Sequence, residues 1–75
     1  MIRFLWDEEK RQLVWHKRGF DLLDAALIFA GPVLTELDTR FDYGEDRYIS
    51  IGKVEEEYFV VVHTPDADSV RLITA

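Results

Sequence analysis

The chain contains no cysteine, so neither a disulfide framework nor a cysteine-ligated zinc site can staple it. Its four glycines, Gly19, Gly31, Gly44 and Gly52, are scattered, and none belongs to a glycine-rich phosphate loop. The two histidines, His16 and His63, stand in no metal-ligand spacing, so no metal is expected, and no cofactor motif is present. No apolar run approaches the ~20 residues of a membrane span. Acidic residues arrive at Asp7, too early for a signal peptide on Met1-Ile2-Arg3-Phe4. The expectation is a soluble cytoplasmic protein with no membrane partner. Cations are scarce as well: nine Lys and Arg against fifteen Asp and Glu give a formal net charge of −6, which argues against generic nucleic-acid binding.

What is present fits one domain spanning 1–75. A chain of 75 residues buries only about 60% of its unfolded surface and is marginal by itself. Its 48% hydrophobic and 13% aromatic content nevertheless argues against disorder and suggests that a partner covers leftover apolar surface. Four of the nine cations, Lys10, Arg11, Lys17 and Arg18, fall in one short segment. A solvated helix face explains such a cluster, and so does a local RNA-binding patch on an acidic protein.

The organising stretch is Arg47–Val54 followed by Tyr58–Thr64, two β-branched and aromatic arms separated by Glu55-Glu56-Glu57. This pattern reads as an antiparallel hairpin. With Val54 and Glu57 flanking the turn, Ile49 faces Val62, Ile51 faces Val60 and Lys53 faces Tyr58 on one side. Tyr48 faces His63, Ser50 faces Val61 and Gly52 faces Phe59 on the other. The first side is the more apolar and is expected to lie under the helices.

Ahead of the hairpin, Ile2–Trp6 reads as a short strand, and Asp7 caps a helix that Gly19 stops. That helix is thinly apolar, with Leu13 and Val14 marking its buried side. Asp21 opens a second helix, apolar nearly all round, which Gly31-Pro32 ends. Val33–Asp38 reads as a strand, Thr39–Asp46 as a loop, Pro65–Asp68 as a turn and Ser69–Ala75 as a last strand. There are no internal repeats or low-complexity segments. The order β-α-α-β-β-β-β implies an α+β fold, two N-terminal helices packed on a mainly antiparallel sheet. The chain stops while still in a strand, which reads as a trimmed or naturally shortened end.

His63 has an ordinary pKa near working pH and can serve as a general base, or simply pair with Tyr48 across the strands. If Thr64 pairs with Ser69, Arg71 falls opposite Val62 on the face of Arg47. The two guanidinium groups then form a bidentate phosphate clamp or, equally, a pair of salt bridges to Glu45. Trp6 and Trp15 are sized to stack on bases or to fill the core.

The residues Phe4-Leu5-Trp6-Asp7, Lys10, Lys17-Arg18-Gly19, Ala25, Phe29, Pro32, Gly44-Glu45, Arg47, Gly52, Val60–Thr64 and Arg71–Ala75 together resemble the BrnT toxins of bacterial type II toxin–antitoxin systems. The resemblance covers essentially the whole chain. It implies a RelE-like ribonuclease fold and a metal-independent RNA endonuclease that halts translation. A DNA-binding antitoxin, BrnA, would neutralise the toxin and bring it to the operator, so contact with DNA would be indirect. The residues this implies for the site are Lys17, Arg47 and Arg71 for phosphate charge and His63 or Glu45 for the proton. Trp6, Lys10 and Arg18 would touch RNA.

Two positions and the end of the chain depart from the family pattern. Arg18 stands where the family usually has histidine, and Val14 where it has asparagine. The arginine-bearing tail that usually follows the last strand has no counterpart in these 75 residues. A non-enzymatic antitoxin-binding module, a shortened and inactive relative, is therefore the alternative expectation.

Overall fold

The computed structural model describes residues 2–75, which leaves only Met1 of the amino-terminal stretch outside the description. Its strands are β1 (Arg3–Trp6), β2 (Val33–Leu37), β3 (Tyr48–Val54), β4 (Glu57–Asp66) and β5 (Ser69–Thr74). They form one mixed sheet in the order β1-β5-β4-β3-β2, with β1 parallel to β5 and the other three ladders antiparallel.

Helix α1 (Glu8–Arg18) begins where Asp7 accepts a 2.9 Å hydrogen bond from the Glu9 N–H. It ends where Gly19, at φ 79°, donates its N–H to the Trp15 carbonyl. Val14 is the one buried residue of α1; Leu13, expected beside it, is exposed. Asp21 caps α2 (Leu22–Ala25), accepting from the Leu23 N–H at 3.0 Å. The single second helix expected from the sequence is instead one α-turn that tightens into a 3-10 helix, Ala26–Ala30. Such tightening is common near a helix end, and Gly31-Pro32 stops the chain there. Arg11 locks the two helices together, with Nε and Nη2 on both Asp21 carboxylate oxygens at 2.9 and 2.8 Å and Nη1 on Glu8 at 2.8 Å.

The β3–β4 register is the one the alternation implies, from Tyr48 opposite His63 to Val54 opposite Glu57. The covered side is not. Helices lie over the Ser50–Gly52–Phe59–Val61 side, and the core is Val14, Leu22, Ala25, Ala26, Ile28, Val61 and Leu72. The reason is volume. Gly52 has no side chain, and a Cβ there would stand 2.7 Å from Ile28 Cβ and 3.0 Å from Val33 Cγ1. The small residues on that side let the 3-10 helix settle onto the sheet, whereas Ile49 and Ile51 would hold it off. The opposite side stays open, leaving Leu34 at 77%, Tyr58 at 72% and Val60 at 46% exposure.

The last hairpin is also displaced. Strand β4 runs through Pro65 to Asp66, the turn is Ala67-Asp68, and Thr64 therefore pairs with Arg71 rather than with Ser69. Proline is tolerated because β3 begins at Tyr48, opposite His63, so β4 has no β3 partner beyond that point. A bulge between Val62 and His63 then restores the pairing with Leu72 and Thr74. The shift is two residues, so Arg71 keeps the face it was expected to occupy.

Replacing Gly52 with alanine forces Ile28 and Val33 outward and is expected to lower stability by about 1–3 kcal/mol, read from the urea midpoint. An unchanged midpoint would contradict the close approach.

Candidate active site

The open sheet side collects most of the chain's unusual charge chemistry. Asp38 follows β2, and its N–H donates to the Arg47 carbonyl at 2.7 Å, extending the ladder past Leu37. Its carboxylate is fully buried, which is costly unless every lone pair finds a donor. Arg40 supplies its backbone N–H (3.1 Å), Nε (2.9 Å) and Nη2 (2.9 Å), and the Tyr43 hydroxyl adds a fourth bond at 3.2 Å. These donors, Arg40 above all, hold the Asp38 carboxyl far below the usual carboxylate range.

The Tyr43 ring in turn carries the Arg47 guanidinium, with Cζ 4.0 Å from the ring centroid. Arg47 Nε reaches Glu45 Oε2 at 3.3 Å, and Arg71 Nη2 reaches Glu45 Oε1 at 2.8 Å. Arg71 Nε also approaches Asp66 at 3.7 Å. Glu45, Arg47 and Arg71 are thus brought together as the sequence suggested, although by a different strand register. The two guanidinium groups, Arg47 first, hold the Glu45 carboxyl below its ordinary pKa, so it is ionised at neutral pH.

His63 is not part of this cluster. It lies on the helix-covered side, edge-on to Phe29 at 4.9 Å and stacked at 6.1 Å on Tyr48. Its Nε2 shares a 2.7 Å hydrogen bond with Ser50 Oγ, which shares another of 2.7 Å with Thr35 Oγ1. Burial pushes its pKa down, favouring the neutral ring.

Three further basic residues gather at the other end of β5. Lys10, Lys17 and Arg18 of α1 border a cleft of about 260 Å³ together with Ile73, Thr74 and Ala75. None of the three forms an ion pair among the described residues. Arg18, Thr74 and Ala75 also border a second cleft of about 440 Å³ on the open sheet side, where Val60 and Val62 form the floor and Arg40 stands at the rim. Trp6 closes β1 opposite Leu72 and is 41% exposed, away from both clefts' walls. Among the described residues, no three His, Asp or Glu side chains are placed to hold a metal ion.

Sequence reasoning missed Asp38, Arg40 and Tyr43. The only trace was Asp38 two residues before Arg40, a spacing too common in loops to single out.

The architecture is α+β, with helices over one side of a five-stranded mixed sheet. The structure is similar to the crystal structure of the Brucella abortus ribonuclease toxin, BrnT, with a TM-score of 0.69, 24% sequence identity, and coverage of 99% of this chain and 92% of that one. No curated protein matches the sequence. The profile of the family described as "Ribonuclease toxin, BrnT, of type II toxin-antitoxin system" matches residues 6–75. The chain belongs to the BrnT family.

The arginine-held carboxylates set the response to acid. Asp21, Asp38 and Glu45 each bind a proton less readily when folded, whereas in the unfolded chain they titrate near about 4. The unfolded state takes up protons first, so their stabilisation is full above that pH and is lost as pH falls through it. His63, also lowered, acts in the same direction from about 6.5 downward. The melting temperature should be level above about pH 7, sag below about 6.5 and fall steeply below about 4. Asp38→Asn should melt lower at pH 7 and lose less on acidification; a wild-type slope below pH 4 in that variant would contradict the assignment.

Proposed function

We propose that this chain is a metal-independent RNA endonuclease, the toxin of a type II toxin–antitoxin pair, with its reaction centre at Glu45, Arg47 and Arg71. The observation that carries the reading is Glu45 fixed between two guanidinium groups on a sheet face that no helix covers. An RNA strand carries its own nucleophile. Glu45 takes the proton of a 2′-hydroxyl, and the oxygen attacks the adjacent phosphorus. The bond to the 5′ oxygen breaks, leaving a 2′,3′-cyclic phosphate and a 5′-hydroxyl that takes its proton from water. Arg47 and Arg71 hold the phosphate and offset the charge that builds on it. No ion is needed for this chemistry.

Lys10, Lys17 and Arg18, free of carboxylate partners among the described residues, bind the strand's neighbouring phosphates. His63 behind the sheet supports the fold rather than the proton transfer, so the base role falls to Glu45. Cleaved messages would halt translation inside the cell. An antitoxin of the BrnA type would occupy the exposed surface with a basic segment, complementing the chain's net charge of −6, and carry the pair to operator DNA.

A second reading is favoured by one observation: both Arg47 and Arg71 are already neutralised by Glu45, and Arg71 also by Asp66. On that reading the chain binds an antitoxin and cleaves nothing.

Purified protein incubated with total RNA and a chelator separates the two. Cleavage is expected, with Glu45→Gln and Arg47→Ala each reducing it by about 10²–10³-fold. Intact RNA with the wild-type protein, together with tight antitoxin binding, selects the binding module. The pH profile identifies the base. Glu45 predicts activity sustained from pH 7 down to 5, since its carboxyl lies below its ordinary range. Loss of activity through about pH 6 would return the role to a histidine.

A further inference from the structure

We infer that Arg40, fixed by the buried Asp38 and by Tyr43, forms a second phosphate-binding subsite for single-stranded RNA, separate from the Glu45 centre. The inference rests on the ribonuclease reading and extends it to the path of the strand. Three observations carry it.

The first is the asymmetry of the ion pair. The Asp38 side chain is fully buried while that of Arg40 is 60% exposed. A surface staple needs no interior carboxylate; an arginine that must be held in one orientation does. Nε and Nη2 are fixed on Asp38, which leaves Nη1 to face outward. Ordering the fork in advance reduces what is lost when it grips an anion.

The second is location. Arg40 and Arg18 both border the 440 Å³ cleft over Val60 and Val62, and Tyr58 beside them is 72% exposed. Two arginines and the acidic Glu57 border an apolar floor, and the exposed Tyr58 ring has Lys53 Nζ 5.6 Å from its centroid. This suits a nucleotide, which presents phosphate to the cations and a base to the ring.

The third is continuity. The same Asp38 binds the Tyr43 hydroxyl, and the Tyr43 ring lies under Arg47. One buried carboxylate therefore sets the position of Arg40 directly and of Arg47 through the ring. Thr74 at the cleft lies three residues beyond Arg71 on β5, about 10 Å along the strand, a distance that a short single strand spans from the reaction centre to Arg40.

The test is the salt dependence of binding to a 2′-O-methyl oligonucleotide, which cannot be cleaved. Each lost phosphate contact lowers the slope of log affinity against log salt by about 0.7 for a single strand. Arg40→Ala should lower the slope by about that amount and weaken binding about tenfold at moderate salt, and Arg40→Lys should restore the slope. Removing Arg40 alone leaves a buried carboxylate without its partner, so the double variant Asp38→Asn/Arg40→Gln provides a version with no stranded charge. It should show at least that loss, since Asp38 also positions Arg47 through Tyr43. A wild-type slope in folded Arg40→Ala or in the double variant would overturn the subsite and leave the ribonuclease reading intact. No binding of the oligonucleotide by the wild-type protein would overturn both.

Discussion

Everything on the working side of this molecule depends on the contact between Ile28 and the backbone at Gly52. A sheet of five strands has two sides, and only one can receive the helices of so short a chain. Gly52 and Ser50 make their side low enough for the 3-10 helix to press Ile28 directly onto β3, with a separation that leaves no room even for a methyl group. Leu22, Ala25, Ile28, Val61 and Leu72 are then sealed together. Burial of a full aliphatic side chain contributes about 1.5–3 kcal/mol, so this layer supplies much of the stability available to a 75-residue fold. The consequence is on the opposite side, where Ile51, Val60 and Tyr58 remain in contact with solvent.

That open side is where charge has been organised. Asp38, Glu45 and Asp66 are acceptors; Arg40, Arg47 and Arg71 are the donors they hold. The protein is acidic as a whole, and three of its six arginines lie on this side, each held by a carboxylate rather than left to wave on a long side chain. The unpartnered cations of α1 continue the same surface around the end of β5. The three arginines are matched by three carboxylates, so the unbalanced positive charge that borders the clefts, beside a net charge of −6, is that of Lys10, Lys17 and Arg18. On the proposed function, the acidic body would disfavour indiscriminate nucleic-acid binding and these cations would mark where a strand is admitted.

Much of the fold was legible in the chain. Asp7 and Gly19 bracket α1 and Asp21 opens α2, because capping is local chemistry. The central hairpin could be read residue by residue, because Val54 and Glu57 flank a turn too short to permit another pairing. The covered side was not legible. Counting apolar residues points to Ile49, Ile51 and Val60, whereas the packing selects for clearance, and Gly52 looks unremarkable until Ile28 stands against it. The β4–β5 register escaped for a related reason: Pro65 reads as a turn, and only the missing β3 partner explains how it extends a strand. For the site, Glu45, Arg47 and Arg71 could be read as a cluster, but the register that joins them could not, since the chain brings them together from the loop before β3 and from β5. Asp38 and Arg40 were invisible, because nothing in a loop sequence says that a carboxylate is buried.

The central claim is that RNA is received by the open side of the sheet. Methyl NMR during titration with an uncleavable single-stranded RNA tests it most directly. The account predicts shifts at Ile49, Ile51, Val60 and Val62, with Val14, Leu22, Ile28 and Leu72 unmoved. Shifts confined to the helix-covered residues, with the open side silent, would contradict it.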